Sequence, residues 1–170
     1  MSNDNGNTQT VLTVTLGQEQ YALDIYAVRE ILDMAEVTRI PKMPAYMRGM
    51  VNVRGTAVPV VDLKMKFGME PIEQTLNTRI VILEIEKDGK VTPMGAMTDS
   101  VRDVLVLHEE QIDPPPELGS SVDIDFIKGI ARKDDAFIIL LDVDKVFARE
   151  EITMLRQVRE EQENTNKTAA

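Results

Sequence analysis

The sequence predicts an all-β protein of short strands, arranged as small barrels or as a sandwich. Three observations lead to this fold class. Apolar and polar residues alternate with a period of two in several short segments, turn signals recur about every ten residues, and the second half of the chain resembles the first. With 170 residues, the chain is expected to form one domain built from two small lobes.

The N-terminal elements are predicted as a disordered tail, a hairpin and a proline-containing segment. Residues 1–10 are polar and have nothing to bury, whereas the following residues alternate as a strand does. The sequence GQEQ is typical of a turn, and YALDI returns as the second strand. The segment IPKMPAYM carries two prolines and a short helical turn, which Gly49 ends.

Three further hairpins are expected along the rest of the chain. The first spans residues 49–68, and Pro59 in its second strand marks a sheet edge or a bulge. The second turns at Asp88-Gly89, a strong hairpin signal, and the third turns at residues 133–135. Arg54 is unexpected in this pattern, because it stands at the turn of an otherwise apolar hairpin.

The C-terminal part is predicted to be helical. Ile152, Leu155 and Val158 lie three residues apart and form one apolar face, so the helix runs from Ala148 to about Gln162. The expected organisation is a tail over 1–10, a β domain over 11–150, and a helix with a frayed end over 151–170.

The chain also contains an internal repeat. YMRGM (46–50) matches FIKGI (126–130), and AVPVVDLKMKF (57–67) matches FIILLDVDKVF (137–147) at the same offset of 80. VREIL (28–32) matches VRDVL (101–105) at an offset of 73. The matches predict a duplicated lobe of about 75 residues and a groove between the two lobes, where ligands often bind.

Composition excludes several classes of function. A net charge of −10 disfavours nucleic acids and anionic membrane surfaces. The chain has no cysteine, so disulfides, thiol nucleophiles and cysteine metal sites are excluded. The longest apolar runs fall far short of the ~20 residues that span a bilayer, and the N-terminus has no apolar signal region. We therefore expect a cytoplasmic protein whose partners are proteins.

Catalytic and cofactor motifs are missing from the sequence. The single histidine, His108, has no serine in a nucleophile elbow to act with, and the chain has no phosphate-binding glycine loop. The segment DVDK (142–145) lacks the spacing of a calcium loop. We expect neither an enzyme nor a bound cofactor or metal, although the number of carboxylates alone does not exclude an acid–base pair. The alternative is a β-barrel enzyme or small-molecule-binding protein that uses the groove between the lobes.

Several segments resemble the CheW family of bacterial chemotaxis adaptors over roughly residues 11–150. The segments are VREIL, IPKMPAYMRGMVNVRGTAVPVVDL, VRDVLVL, IDPPPELG and GIARKDDAFIILLDVDKVF. The resemblance implies two packed SH3-like five-stranded β-barrels with a hydrophobic interface, plus short helices, and no catalytic activity. It also implies that the protein couples the cytoplasmic tips of methyl-accepting chemoreceptors to the histidine kinase CheA, whose regulatory domain has the same fold.

The resemblance further implies two sets of contact residues. Those facing the receptor's helical hairpin are Val28, Glu30, Arg54, Arg79, Ile80 and Val104, with the last three expected to line the groove from the other lobe. Those facing the kinase are Ile40, Pro44, Arg48, Gly49 and Met50, with Leu118 as a second contact that helps to close a ring. The isolated adaptor is expected to be a monomer that is recruited to receptor arrays.

For two of these assignments, the residue types themselves also support an interpretation that does not depend on the resemblance. Arg54 is either a receptor contact or a structural ion-pair partner of Glu30 or Asp62, and both readings stay open at this point. The segment IPKMPAYM is apolar and rigid, so it loses little entropy on docking. For Tyr46 and Met47, packing over the mouth of the barrel is as well supported as a kinase contact, so both are left out of the kinase set. Gly49→Asp is expected to abolish kinase binding and to leave the fold nearly intact.

Overall fold

The computed structural model describes residues 7–115, 125–148, 151–157 and 160. The strands are β1 (Thr8–Leu16), β2 (Glu19–Asp24), β3 (Val28–Asp33), β4 (Met47–Val53), β5 (Thr56–Asp62), β6 (Arg79–Lys87), β7 (Lys90–Thr98), β8 (Ser100–His108), β9 (Ile112–Asp113), β10 (Ile127–Lys133) and β11 (Ala136–Leu141). The short helices are α1 (Leu63–Lys66) and α2 (Val143–Val146), with 3₁₀ turns at Ile25–Ala27 and Glu109–Gln111. Residues 151–157 are also helical. The all-β prediction is confirmed.

The strands form two sheets, which we call lobe 1 and lobe 2. Lobe 1 has five strands in the order β3-β6-β7-β5-β4. Lobe 2 has six strands in the order β8-β1-β2-β11-β10-β9. Neighbouring strands are antiparallel except for one parallel pair in each lobe, β5 with β7 and β11 with β2. The two orders match strand for strand, with the short β9 as the addition in lobe 2.

The two lobes are not consecutive halves of the chain. Lobe 1 is continuous from β3 to β7, whereas lobe 2 combines the C-terminal strands β8–β11 with the N-terminal β1 and β2. In this arrangement β3 corresponds to β8, β4 to β10, and β5 to β11, as the repeated sequence segments predict. The N-terminal hairpin corresponds to β6 and β7, and it completes a lobe whose other strands lie at the far end of the chain.

In each lobe, the segment that follows one edge strand, β3 or β8, pairs with the strand at the opposite edge of the sheet. In lobe 1, Thr38 follows β3 and forms a bridge with Met50 of β4, the opposite edge strand. The Thr38 amide donates to the Met50 carbonyl at 2.9 Å, and the Met50 amide donates back at 2.8 Å. In lobe 2, β9 follows β8 and pairs with β10 in the same way. These links curl each sheet toward a barrel and leave less of its edge unpaired.

A glycine permits the close approach at each of these junctions. Gly49 has a φ of +143°, and a Cβ atom built on it would lie 2.1 Å from the Thr38 carbonyl oxygen. At the equivalent position in lobe 2, a Cβ on Gly129 would lie 2.7 Å from the Asp113 carbonyl oxygen. The expectation that Gly49→Asp leaves the fold nearly intact is therefore wrong, because any side chain there collides with backbone.

The repeated aspartates cap the short helices that follow β5 and β11. The buried carboxylate of Asp62 accepts hydrogen bonds from the amides of Met65 at 3.1 Å and Ile72 at 2.9 Å. Asp142 accepts from the Asp144 amide at 3.1 Å at the start of α2. The carboxylates thus satisfy backbone donors that the helix leaves free.

A single large apolar core joins the two lobes. It contains buried aliphatic residues from β1 and β2 of lobe 2 as well as from β4–β7 of lobe 1, and lobe 2 has a smaller second cluster around Leu107 and Ile138. A cavity lined by core residues of both lobes has a volume of about 10 Å³. At the margin of the core, Phe67 stacks between Tyr21 and Phe126 with ring centroids 5.9 and 4.9 Å apart.

The ends of the folded part differ from the predicted boundaries. β1 begins at Thr8, inside the segment expected to be disordered, because residues 8–10 pair with β8. At the other end, the helical face predicted from Ile152 and Leu155 is confirmed, since both side chains are buried in the core. Val158 lies outside the described residues.

We predict that Gly49→Ala destabilises the protein strongly. The methyl group would meet the Thr38 carbonyl, and the backbone would be held at a φ unfavourable for alanine, so the cost should be about 3 kcal/mol or more. Urea-induced unfolding measures it. Gly68→Ala is the matched control, because Gly68 also has a positive φ but no atom within 4 Å of its Cβ position. The control should lose only about 1–2 kcal/mol, and equal losses in both variants would contradict the close-approach argument.

Candidate protein-interaction surfaces

Arg54 occupies a position that few residues other than glycine tolerate. It forms the two-residue turn between β4 and β5 together with Gly55, and their φ values are +49° and +88°. Two positive φ values are characteristic of a type I′ turn, which favours Asn, Asp and Gly. The side chain of Asn52 supports the turn by accepting a hydrogen bond from the Gly55 amide at 2.7 Å. Because the backbone conformation disfavours arginine, the contacts of the Arg54 side chain must account for its presence at this position.

The guanidinium of Arg54 forms a bidentate pair with Glu30 of β3. Nη1 donates to Oε1 at 3.0 Å, and Nη2 donates to Oε2. Because β3 and β4 are the two edges of lobe 1, this pair joins the edges at one end, as the Thr38–Met50 bridge does elsewhere. The hydrogen bond from Arg54 holds the pKa of Glu30 below its ordinary value. The side chain of Arg54 remains 69% exposed, so a partner can reach it while the pair is intact.

The other receptor-set residues are distributed differently from the expectation. Val28 is half-buried on β3, whereas Arg79 and Ile80 begin β6, which pairs directly with β3. The expectation that Arg79 and Ile80 belong to the other lobe is wrong. Arg79 pairs with Asp33 at 3.2 Å. Ile80 is completely buried, so its side chain supports this surface from beneath and does not line it.

Val104 is the one member of the receptor set that lies on lobe 2. It is 59% exposed on the edge strand β8, directly opposite Leu12 of β1. Opposed residues of an antiparallel pair share a face, and Leu12 belongs to the core between the lobes. Val104 therefore lies at the exposed margin of the face that lobe 2 turns toward lobe 1. Val106, also exposed, extends the apolar margin on the same face.

The kinase set divides into cleft residues and buried residues. Ile40, Pro44 and Arg48 line one cleft of about 350 Å³ together with Met43, Met47 and Met65. A second cleft of about 480 Å³ is lined by Met34, Ala35, Glu36, Val37, Arg39, Arg48, Gln74 and Met97. Gly49 and Met50 are buried and do not reach the surface. Leu118 lies outside the described residues.

Sequence reasoning missed Arg39 and the cleft methionines. Arg39 and Arg48 line both clefts, so the two clefts share a basic wall. Arg48 also pairs with the buried Asp62 at 3.5 Å. The methionine content of the chain was a signal, because flexible thioether side chains suit adaptable surfaces as well as cores. It gave no means of separating the cleft residues Met34 and Met65 from fully buried ones.

The two candidate surfaces lie at opposite ends of one hairpin. Arg48 is the second residue of β4 and Arg54 follows its last residue, and six residues of extended chain span about 20 Å. No group of metal-ligating side chains occurs among the described residues, and none of their helices is long and apolar enough to cross a bilayer. His108 is exposed at the end of β8, as its position in the sequence predicts. The fold and the two separate surfaces define a two-lobed β protein of the kind that serves protein interactions.

Comparison with known proteins gives the particular family. The model of the CheW-like domain matches residues 10–151. The chain is 34% identical to the chemotaxis protein CheW of Klebsiella aerogenes, covering 88% of each chain, and 31% identical to that of Thermotoga maritima, covering 85% of this chain and 89% of the relative. The crystal structure of the scaffolding protein TtCheW from Thermoanaerobacter tengcongensis matches with a TM-score of 0.73 and 34% identity, over 84% of this chain and 94% of that chain.

The chain therefore belongs to the CheW family of chemotaxis proteins. It is a non-catalytic scaffold of chemotaxis signalling that couples receptors to the kinase CheA.

We predict that Arg54→Ala raises the pKa of Glu30 toward its ordinary value, because the variant removes the hydrogen bond that stabilises the carboxylate. NMR titration of the Glu30 side-chain carboxyl carbon measures this change. A lowered folded-state pKa stabilises the fold above the ordinary pKa of Glu, and the contribution is lost as the pH falls through the folded value. The variant should therefore lose less stability than the wild type between about pH 5 and pH 3.

The control is Arg132→Ala, which removes an exposed pair with Asp113 in lobe 2. It should leave the Glu30 titration unchanged. If Glu30 titrates identically in the wild type and in Arg54→Ala, the pair does not persist in solution.

Proposed function

We propose that the protein holds a chemoreceptor and the regulatory domain of CheA at opposite ends of the β4–β5 hairpin. The observation that carries this proposal is the separation of two chemically different surfaces on one rigid element. One end has the exposed Arg54–Glu30 pair, and the other has two clefts of mixed character, lined by methionines and by Arg39 and Arg48. A scaffold that binds two partners at once needs such separation, because the partners would otherwise compete.

The receptor surface suits a helical hairpin with one apolar stripe. Val28 lies beside Glu30 on the edge strand β3, and Val104 offers a largely exposed apolar side chain on lobe 2. A helix that lies in a groove needs apolar anchors at helical spacing, and charged groups set its register. Arg54 and Glu30 would supply those charges, while Ile80 packs below and keeps the sheet in place. Arg79 is part of this surface through its pair with Asp33.

The kinase surface suits an apolar patch that carries carboxylate groups. Pro44 and Ile40 give a rigid apolar rim, and the cleft methionines can adapt to a partner's side chains. Arg39 and Arg48 add positive charge to a chain whose net charge is −10, so an acidic group on the partner would be selected at this place. Gly49 and Met50 are buried, so they would not touch the kinase and would act by holding the neighbouring cleft residues in position. Leu118 remains a proposed second contact.

The alternative of a small-molecule protein is disfavoured by the packing between the lobes. The void there is about 10 Å³ and is enclosed by aliphatic and aromatic side chains. Pockets for metabolites and cofactors occupy about 300–1,000 Å³. The shared core thus occupies the space between the duplicated lobes, where a ligand groove was expected.

The proposal includes the place and the assembly of the protein. It acts in the cytoplasm, where it is recruited to receptor arrays, and the isolated chain is a monomer. Two different contacts with CheA-type domains would let adaptor and kinase alternate around a closed ring, as heterologous interfaces allow.

We predict that the two surfaces can be inactivated separately. Arg54→Glu should abolish binding of the receptor tip and preserve binding of the kinase regulatory domain, because it reverses the charge at only one end of the hairpin. Ile40→Asp should do the opposite, because it replaces an apolar side chain of the cleft by a charged one. Calorimetry with each partner measures both affinities, and each variant should melt within a few degrees of the wild type.

The double variant Arg54→Glu with Glu30→Arg separates a structural role from a contact role. It should restore the internal pair and any lost thermal stability, but not receptor binding. Restored receptor binding would show that Arg54 acts only by closing the lobe. Loss of both partners in Arg54→Glu, with a sharply lower melting temperature, would contradict the receptor assignment.

A further inference from the structure

The C-terminal helix is buried in the core although all of it after residue 151 lies beyond the matched family domain. The region that matches the CheW-like domain ends at residue 151, and residues 151–157 are helical. Ile152 and Leu155 are 1% and 0% exposed and belong to the core that joins the lobes. Arg156 donates from Nε to the hydroxyl of Thr92 on β7 at 2.6 Å. The helix is therefore part of the folded core.

Glu151, in this helix, accepts hydrogen bonds from three other parts of the chain. Oε2 of Glu151 accepts hydrogen bonds from the hydroxyl of Tyr46 and from the Lys66 ammonium, the latter at 2.6 Å. Oε1 accepts from the Ala148 amide at 2.8 Å. Lys66 also lies over the rings of Tyr46 and Phe147, with Nζ 4.8 and 5.3 Å from their centroids.

Tyr46 connects this network to the kinase clefts. Its neighbours Ala45 and Met47 line the same cleft as Pro44 and Arg48. Its carbonyl accepts the Asp62 amide at 2.8 Å, which ties the segment to the end of β5. Among the described hydrogen bonds, the one from the Tyr46 hydroxyl to Glu151 is thus the only one that joins cleft residues 39–48 to the C-terminal helix.

The protonation states fit a permanent link. Burial would raise the pKa of Glu151, but the hydrogen bonds from Lys66, Tyr46 and the Ala148 amide outweigh it and keep that pKa below its ordinary value. Burial, together with the hydrogen bond to Glu151, raises the pKa of Tyr46 further above neutrality. At neutral pH the carboxylate stays an acceptor and the phenol stays a donor.

We infer that the C-terminal helix is a clasp that fixes cleft residues 39–48 in their kinase-binding shape, with Glu151, Tyr46 and Lys66 as positioning residues. The inference rests on the proposed kinase surface. A segment held in its bound shape loses less conformational entropy on docking than a loose one. The clasp contributes affinity in this way without a contact to the kinase, and it has no connection to Arg54 at the other end of the hairpin.

The test uses Glu151→Gln and Tyr46→Phe in the full-length chain. Each removes one polar part of the clasp and keeps the apolar packing. Glu160→Gln is the matched control, because it makes the same change at an exposed helical residue further along. Affinity for the kinase regulatory domain should fall roughly three- to tenfold in both clasp variants and stay unchanged in the control. Affinity for the receptor tip should stay within about twofold of wild type in all three variants.

Hydrogen exchange supplies a readout that needs no partner. The amides of Met47 and Asp62, which bond to Pro44 and Tyr46, should exchange faster in the clasp variants, while the Thr38 and Met50 amides of the lobe closure keep their protection. Unchanged exchange, or unchanged kinase affinity, would overturn the inference. Equal loss of both partners with faster exchange throughout the core would also overturn it, since the helix would then serve overall stability alone. If the wild type binds neither partner, the proposed function fails, and hydrogen exchange still tests the clasp.

Discussion

The contact between Gly49 and Thr38 is the constraint on which the rest of lobe 1 depends. A five-stranded sheet of this size leaves two edges free, and here the chain after β3 crosses to β4 so closely that no Cβ fits between them. The crossing brings β3 near the β4–β5 turn, so that Glu30 can reach Arg54. It also fixes where the chain leaves the sheet after Thr38, and several of residues 39–48 line the clefts. Both candidate surfaces follow from one backbone approach.

Lobe 2 reuses the same design with different side chains. Gly129 permits the approach of Asp113, and Asp142 caps α2 as Asp62 caps α1. The duplication thus preserves the residues that backbone geometry requires, while the surfaces have diverged. In lobe 1 the turn after the glycine strand carries Arg54, whereas the equivalent turn of lobe 2 has Asp134 and Asp135, residues that accept positive φ more readily. The unusual residue marks the lobe with the charged surface.

Local patterns in the sequence were sufficient for much of the fold but not for its long-range pairing. Alternation and turn residues predict the strands, and the paired Gly and Asp residues predict the duplication, because each of these depends on nearby chain geometry. That β1 joins β8, nearly a hundred residues away, leaves no local trace. The burial of Ile80 was missed for a related reason, since Ile80 belongs to the continuous apolar run of residues 80–83, and such a run does not say which other elements cover it. The pair of Arg54 with Glu30 was among the readings considered, and three-dimensional proximity was needed to choose it over Asp62.

The interleaving of the lobes has a consequence for how the chain is made. The N-terminal hairpin leaves the ribosome well before its partners β8 and β11 are synthesised. Lobe 1 can fold while synthesis continues, but the hairpin must wait with its apolar face uncovered, and pairing over such separations is slow. A chain that stops early has no second lobe and lacks the shared core that buries the face of the first. The native fold therefore depends on synthesis of the last strands, and an unfinished chain cannot form the scaffold with its two surfaces.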